Sequence, residues 1–198
     1  MNSAHFFRTA CLFEASLIIV ALILAWISGI NPLAHLYFSE MAITVGLLGT
    51  APLFLLFLSL EHFPQKSLAD IRDLLLKTLA ANLYTRHWTD LLLLAAIAGL
   101  SEELLFRGVI QPWITASWGA LIGIWASNII FGLVHAITPL YAILVTLVGV
   151  YLSYSMEALS GEPNLLIPII IHGFYDFLAF MALMRIYKNS LRDEGDVR

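Results

Sequence analysis

The most unusual stretch of the sequence is residues 100–108, LSEELLFRG, where three charged side chains lie between long apolar runs. A charge at mid-bilayer costs about 2.5 kcal/mol or more, so such residues usually face a cavity and have partners. In a helix, Glu103 and Arg107 are four residues apart with the acid first, the favourable order for an ion pair. Glu102 points about 100° away from Glu103 and has no local partner. It is therefore a candidate general base.

Two histidines lie in strongly apolar segments and are candidate partners of Glu102. The stretch FGLVH places Phe131 and His135 on one helical face, and HGFYD does the same for His172 and Asp176. We predict that the carboxylate and the two imidazoles, from three separate segments, meet in one pocket. Each feature alone also has a structural interpretation: a clamp between helices, a hydrogen-bonded core histidine, or a carboxylate that orients an imidazole.

The composition around these residues is that of a membrane protein. The chain is 60% hydrophobic and 12% charged, with a mean hydropathy of +0.87, whereas soluble domains are about 45–50% apolar and about 25% charged. A length of 198 residues fits a single integral-membrane domain, residues 1–198. Residues 90–180 would be the core helices that carry the three polar motifs.

Hydropathy and the positions of proline and glycine predict an all-α, polytopic transmembrane helix bundle of about six membrane spans. The spans are expected at residues 11–30, 41–60, 92–113, 118–137, 139–158 and 164–186, with the QPW stretch at 111–113 ending the third. The first apolar stretch is too long for a signal peptide, so we interpret it as a retained helix. Glu14, near its start, is expected to reach the membrane interface; a second polar site there is the alternative.

Residues 64–90 have a different pattern, because apolar and charged residues alternate there at helical spacing. The apolar positions are Leu68, Ile71, Leu74, Leu75 and Leu79, and the charged positions between them are Asp70, Arg72, Asp73 and Lys77. This pattern predicts an amphipathic helix in the membrane interface. A solvated connector helix is the alternative.

The distribution of basic residues predicts the orientation of the bundle. Lys and Arg accumulate in cytoplasmic loops, and six spans with cytoplasmic N- and C-termini place every basic residue except Arg107 on that side. The pocket would then lie toward the cytoplasmic half of the membrane. We expect the inner (plasma) membrane of a bacterium, and the net charge of −4 gives no support to nucleic-acid binding. The single cysteine, Cys11, excludes an intrachain disulfide.

The three motifs, in this order, resemble those of the CPBP family of intramembrane glutamic proteases. EELLFR fits the family's EExxxR motif, FGLVH its FxxxH motif and HGFYD its HxxxN/D motif. The family includes CAAX-processing endopeptidases and bacteriocin-associated or Abi proteins. The resemblance covers about residues 90–180 and leaves the first two spans outside.

The resemblance implies a metal-independent peptidase without a cofactor, acting on a membrane-associated peptide or protein. Glu102 would activate water, His135 would hold that water, and His172 with Asp176 would stabilise the oxyanion. Glu103 and Arg107 would brace the site, with Phe131 beside them. Position 176 is Asp here, whereas the eukaryotic CAAX enzymes of the family carry Asn. Because an ionised Asp would repel an oxyanion, Asp176 would have to be protonated or, as we expect, orient His172 and stabilise its charged form.

Three other functions remain open from the sequence. Two histidines and a carboxylate could hold Zn²⁺, although HExxH spacing is absent. The pocket could also recognise a peptide without cutting it, as in a bacteriocin-immunity protein. A transporter is the weakest alternative, because the chain lacks repeats and broken helix pairs. The substrate, its prenylation and the oligomeric state are not readable from the residues.

Overall fold

A computed structural model describes residues 2–60 and 65–196, and over these residues the protein is helical without strands. The predicted all-α bundle is confirmed. The helices before the motif region are α1 (Ser3–Ser28), α2 (Glu40–Leu60), α3 (Lys66–Leu75) and α4 (Ala81–Leu83). Those that follow are α5 (Trp88–Leu105), α6 (Gln111–Trp118), α7 (Ala120–Val134), α8 (Pro139–Ser155) and α9 (Leu166–Asp196).

The ends of the long helices follow from local capping chemistry. The side chain of Asn2 accepts a hydrogen bond from the backbone N–H of Ala4, and Gly29 closes α1 in the left-handed conformation, at φ 69°. His87 caps α5 by accepting from the backbone N–H of Thr89. Thr138 caps α8 in the same way. Polar residues before the apolar runs therefore set where α1, α5 and α8 begin.

The helix that carries the first motif is longer than predicted. A π-helical segment, Phe106–Ile110, joins α5 directly to α6, so the chain stays helical from Trp88 to Trp118. The prediction that residues 111–113 end the third span is therefore wrong. Pro112 directly follows the π-helical segment, at the second residue of α6, and the wider turn of that segment accommodates the proline inside the helix. Gly119, at φ 85°, makes the turn into α7 instead.

Within the described part of the chain, three helices have the length and composition of membrane spans: Ser3–Ser28, Glu40–Ser59 and Leu166–Asp193. Ala120–Val134 and Pro139–Ser155 are apolar but shorter, and α5 carries the charged motif. The count of six spans therefore stays a prediction. Large apolar side chains on the outside of the bundle, such as Trp26 at 84% exposure, are typical of a lipid-facing surface.

The amphipathic segment is present where the sequence placed it. A π-helical segment, Leu76–Ala80, joins α3 to α4. Ile71, Ala80 and Leu83 are buried, and the charged residues Asp70, Arg72, Asp73 and Lys77 are exposed. Residues 61–64 of the predicted range lie outside the described residues. The apolar face packs toward a cluster that includes Leu91, Leu183 and Met184, so this segment covers one end of α5 and α9.

The packing of α5 against α9 positions the polar motifs. The closest approach is at Gly99, where an added Cβ would lie 2.6 Å from the backbone nitrogen of Gly173. This crossing lies within one turn of Glu102, Glu103 and His172. On the other side of α5, the small residues Ala21 and Ala25 of α1 pack around Phe106 and Phe131. The motif-bearing part of α5 is therefore enclosed by α1, α7 and α9.

Candidate active site

Glu103 lies at the centre of a buried hydrogen-bond network. Its side chain is completely buried, and its Oε1 atom accepts hydrogen bonds from Arg107 Nη1 at 2.9 Å and from His172 Nδ1 at 2.8 Å. The predicted ion pair with Arg107 is therefore present, and the bond to His172 had not been expected. One carboxylate oxygen thus connects α5 to α9. It also fixes the orientation of the His172 ring, leaving Nε2 to face the pocket.

Arg107 extends this network to α7 and α8. Its Nη2 donates to Asn128 Oδ1 at 2.7 Å and to the carbonyl oxygen of Gly149 at 2.8 Å. The guanidinium also lies 4.7 Å from the centre of the Phe131 ring, close enough for a cation–π interaction. A buried arginine needs such partners because desolvating its charge is costly. These contacts couple the charged motif of α5 to two other helices.

Asn128 is a functional candidate that the sequence reasoning missed. Its Nδ2 donates to Ser153 Oγ at 2.8 Å, and Ser153 donates to Gln111 Oε1 at 2.7 Å. Asn128 is fully buried, one turn before Phe131 on the same helical face. An amide in the otherwise apolar stretch IWASNIIFG was the signal that could have identified it.

Glu102 faces the two imidazoles, as the sequence predicted it would. Its Oε2 atom lies 3.5 Å from His135 Nε2 and 4.0 Å from His172 Nε2. The carboxylate is 5% exposed, and Oε2 has no protein hydrogen-bond donor among the described residues. A hydrogen bond on the opposite side of the ring fixes His135, because its Nδ1 lies 2.8 Å from the carbonyl oxygen of Phe131. With Nδ1 donating there, Nε2 is the atom that His135 presents to Glu102.

Asp176 lies on the outer side of His172, with Oδ2 3.6 Å from Nε2. The short hydrogen bond to His172 comes from Glu103, at Nδ1, so Asp176 is the more distant of the two carboxylates; its role toward His172 stays a prediction. Asp176 is nevertheless part of the cluster, one turn after His172 on α9. It is partly exposed, as is His135, with side-chain exposures of 24% and 32%. The cluster is therefore open on the side where these two residues lie.

Phe131 packs at the centre of the polar groups. Its ring centre is 4.6 Å from that of His135 and 6.1 Å from that of His172, and it contacts Phe106 edge-on. The ring is 3% exposed. It therefore packs against the Arg107 guanidinium and both imidazoles, and it limits how far either imidazole can rotate.

Glu14 also belongs to the cluster, contrary to the expectation that it reaches the interface. Its carboxyl group is close enough to those of Glu102 and Asp176, and to the His135 imidazole, for electrostatic interaction. Oε2 of Glu14 is buried and, like Oε2 of Glu102, has no protein donor among the described residues. The alternative interpretation, a second polar site in the first span, agrees better with this position of Glu14.

The described residues contain no group of three or more His, Cys, Asp or Glu side chains arranged to hold a metal ion. The zinc alternative therefore gains no ligand set from the geometry. What the cluster offers is one buried carboxylate, two imidazoles and a second carboxyl group around a common space. Such an arrangement is suited to proton transfer to and from a reacting molecule.

The carboxylate–imidazole cluster thus lies inside a bundle of long apolar helices. Residues 84–178 match the family model described as Type II CAAX prenyl endopeptidase Rce1-like. This stretch is thus a domain of the CAAX prenyl endopeptidase family, which is a family of peptidases; the predicted family and hydrolase class are confirmed. No curated protein and no solved structure matches the chain. The match includes Glu102, His135, His172 and Asp176 and leaves α1, with Glu14, outside.

Proposed function

We propose that the protein is a metal-independent, glutamate-dependent endopeptidase that cleaves a membrane-associated peptide or protein. The observation that carries the proposal is the environment of Glu102 Oε2, a buried carboxylate oxygen with two imidazole nitrogens within 4.0 Å. A base of this kind acts on water only if it is poorly solvated and within hydrogen-bonding reach. The family supports a membrane substrate, and a prenylated CAAX-type peptide is the specific substrate that we propose.

In the proposed reaction, a water molecule binds between Glu102 Oε2 and His135 Nε2. Glu102 takes a proton from the water as its oxygen attacks the scissile carbonyl carbon, and the carbonyl π electrons move to the oxygen. His172, held through Nδ1 by Glu103, donates from Nε2 to the resulting oxyanion. Glu102 then gives its proton to the leaving nitrogen as the C–N bond breaks. The products are a carboxylic acid and an amine, and the enzyme returns to its initial state.

Two other charged residues, Asp176 and Arg107, support this reaction without contacting the reacting atoms. Asp176, 3.6 Å from His172 Nε2, stabilises the charged form of the imidazole rather than the oxyanion. Arg107 balances Glu103 and connects it to α7 and α8. The proposal also includes cytoplasmic termini and a location in a bacterial inner membrane. The positive-inside distribution of Lys and Arg favours this arrangement.

The proposal is tested by comparing peptide termini in membranes that contain the wild type or Glu102→Gln. New termini are expected only with the wild type, and their sequences identify the substrate. Cleavage of an identified peptide by the purified protein is expected to persist after treatment with 1,10-phenanthroline or EDTA, because no step uses a metal. Loss of cleavage with the chelator and its return with Zn²⁺ would refute the metal-independent reaction. No new termini with either protein would favour a peptide-binding protein that does not cut.

A further inference from the structure

A concavity outside the candidate active site lies where α5 begins and toward the end of α9. It has a volume of about 560 Å³. Measured along α5 from Trp88, Glu102 is 14 residues away, which corresponds to about 21 Å. The cavity is therefore separate from the candidate active site. No step of the proposed reaction uses it, and the family match gives it no role.

Cationic side chains line the outer part of this cavity. Arg185, Lys188 and Arg192 follow one another at three- and four-residue spacing, so they share one face of α9, and Asn189 lies beside them. None of the three cations is within ion-pair distance of a carboxylate in the described part of the chain. Three cations on one wall, without carboxylate partners among the described side chains, form a site of strong positive potential.

Arg86 completes the cationic wall from the side of α5 but is already neutralised. Its Nη2 lies 2.6 Å from Asp90 Oδ2, and its guanidinium stacks on the Phe7 ring at 5.0 Å. This arginine is held in place by two contacts, so it forms a fixed edge of the cavity. The net positive charge available to a ligand comes from α9.

The inner part of the cavity is apolar. Leu91 and Met184 are buried, and Met181 and Trp88 are partly exposed, at 40% and 48%. Met181 precedes Arg185 by one helical turn, and Met184 precedes Lys188 in the same way. The wall thus changes from apolar to cationic along α9, toward the end of the helix. Tryptophan at such a boundary is typical of the membrane interface.

We propose that this cavity binds an anionic phospholipid, with the phosphate and headgroup at the cations of α9 and the upper acyl chains against Leu91, Met181 and Met184. Basic pockets between transmembrane helices bind anionic headgroups in this way. The positive-inside distribution alone explains the presence of cations at this end of the bundle. It does not explain their convergence on one concave wall above an apolar floor. Free phosphate meets only the cationic half of the site and is a poorer ligand.

The test uses the full chain purified in a mild zwitterionic detergent, with phosphatidylglycerol and phosphatidylcholine as probes. Native mass spectrometry counts bound lipid, and thermal unfolding measures the stabilisation that the lipid gives. The wild type is expected to retain one phosphatidylglycerol molecule in preference to phosphatidylcholine and to unfold at a higher temperature in its presence. The triple variant R185Q/K188Q/R192Q is expected to bind phosphatidylglycerol about a hundredfold more weakly, since each cation contributes about a factor of five.

The matched control is K66Q/R72Q/K77Q, which removes the same charge from exposed positions of the amphipathic segment. It is expected to bind phosphatidylglycerol like the wild type. Met181→Glu, which places a negative charge on the apolar floor, is expected to lose binding while Arg185, Lys188 and Arg192 remain. Equal binding of both lipids, equal loss in the control, or an equal stabilisation by inorganic phosphate or an acidic peptide would overturn the proposal.

Discussion

Glu102→Gln is expected to lower the rate of peptide cleavage by about a thousandfold, because it removes the only proposed base while keeping the shape of the side chain. The amide cannot take a proton from water at neutral pH. Since Oε2 of Glu102 has no protein donor among the described residues, the substitution breaks no essential structural hydrogen bond. The melting temperature in detergent is therefore expected to stay close to that of the wild type. The measurement is kcat on an identified peptide together with thermal unfolding.

Glu162→Gln is the control, because this glutamate is exposed in the connection between α8 and α9. It is expected to leave both kcat and stability unchanged. Cleavage by folded Glu102→Gln at the wild-type rate would refute the assignment of the base. A large loss of stability would instead indicate that Glu102 is mainly a structural residue, with its contact to Glu14 as the reason.

Arg107→Met is expected to destabilise the protein by about 3–5 kcal/mol, which is the usual cost of removing one partner from a buried ion pair. Glu103 would be left charged and fully buried, and Asn128 and the carbonyl of Gly149 would lose their donor. Because domains are stable by only about 5–15 kcal/mol, the single variant should accumulate poorly in membranes. Thermal unfolding in detergent, and the amount of folded protein recovered, measure this effect.

The double variant Glu103→Leu with Arg107→Met separates stability from function. Replacing both charges by apolar groups is expected to recover much of the stability. Cleavage should still be about a hundredfold slower than in the wild type, because His172 loses the acceptor that fixes its ring. Arg72→Met, at an exposed position, is the control and should change neither property. An Arg107→Met protein as stable as the wild type would show that the network does not brace the bundle.

The convergence of Glu102, His135 and His172 could be anticipated because each is a costly polar group in an apolar segment. Burial in lipid leaves such groups few alternatives to one another, so composition alone indicated that they meet. The pairing of His172 with Glu103 could not be anticipated in this way. Two adjacent glutamates differ in direction by about 100°, and which of them meets a distant helix depends on how α5 and α9 cross.

The continuity of α5 with α6 was missed for a different reason. Proline usually ends or kinks a helix, and the residues before Pro112 carry no sign that a π-helical segment will accommodate it. Glu14 was missed because one acid near the end of a long apolar run normally extends to the interface. Its position beside Glu102 depends on how deeply α1 packs against α5, which is a property of the assembled bundle.

The contact of Gly99 with Gly173 limits which amino acids these two positions can accept. A methyl group at position 99 would force the two backbones apart, and a shift of about 1 Å would already stretch the 2.8 Å bond between Glu103 and His172 past useful length. The alignment of acid and imidazole therefore depends on two residues that have no functional group at all. Mutational surveys restricted to polar positions would overlook them, and homologues could lose activity there with every motif residue intact.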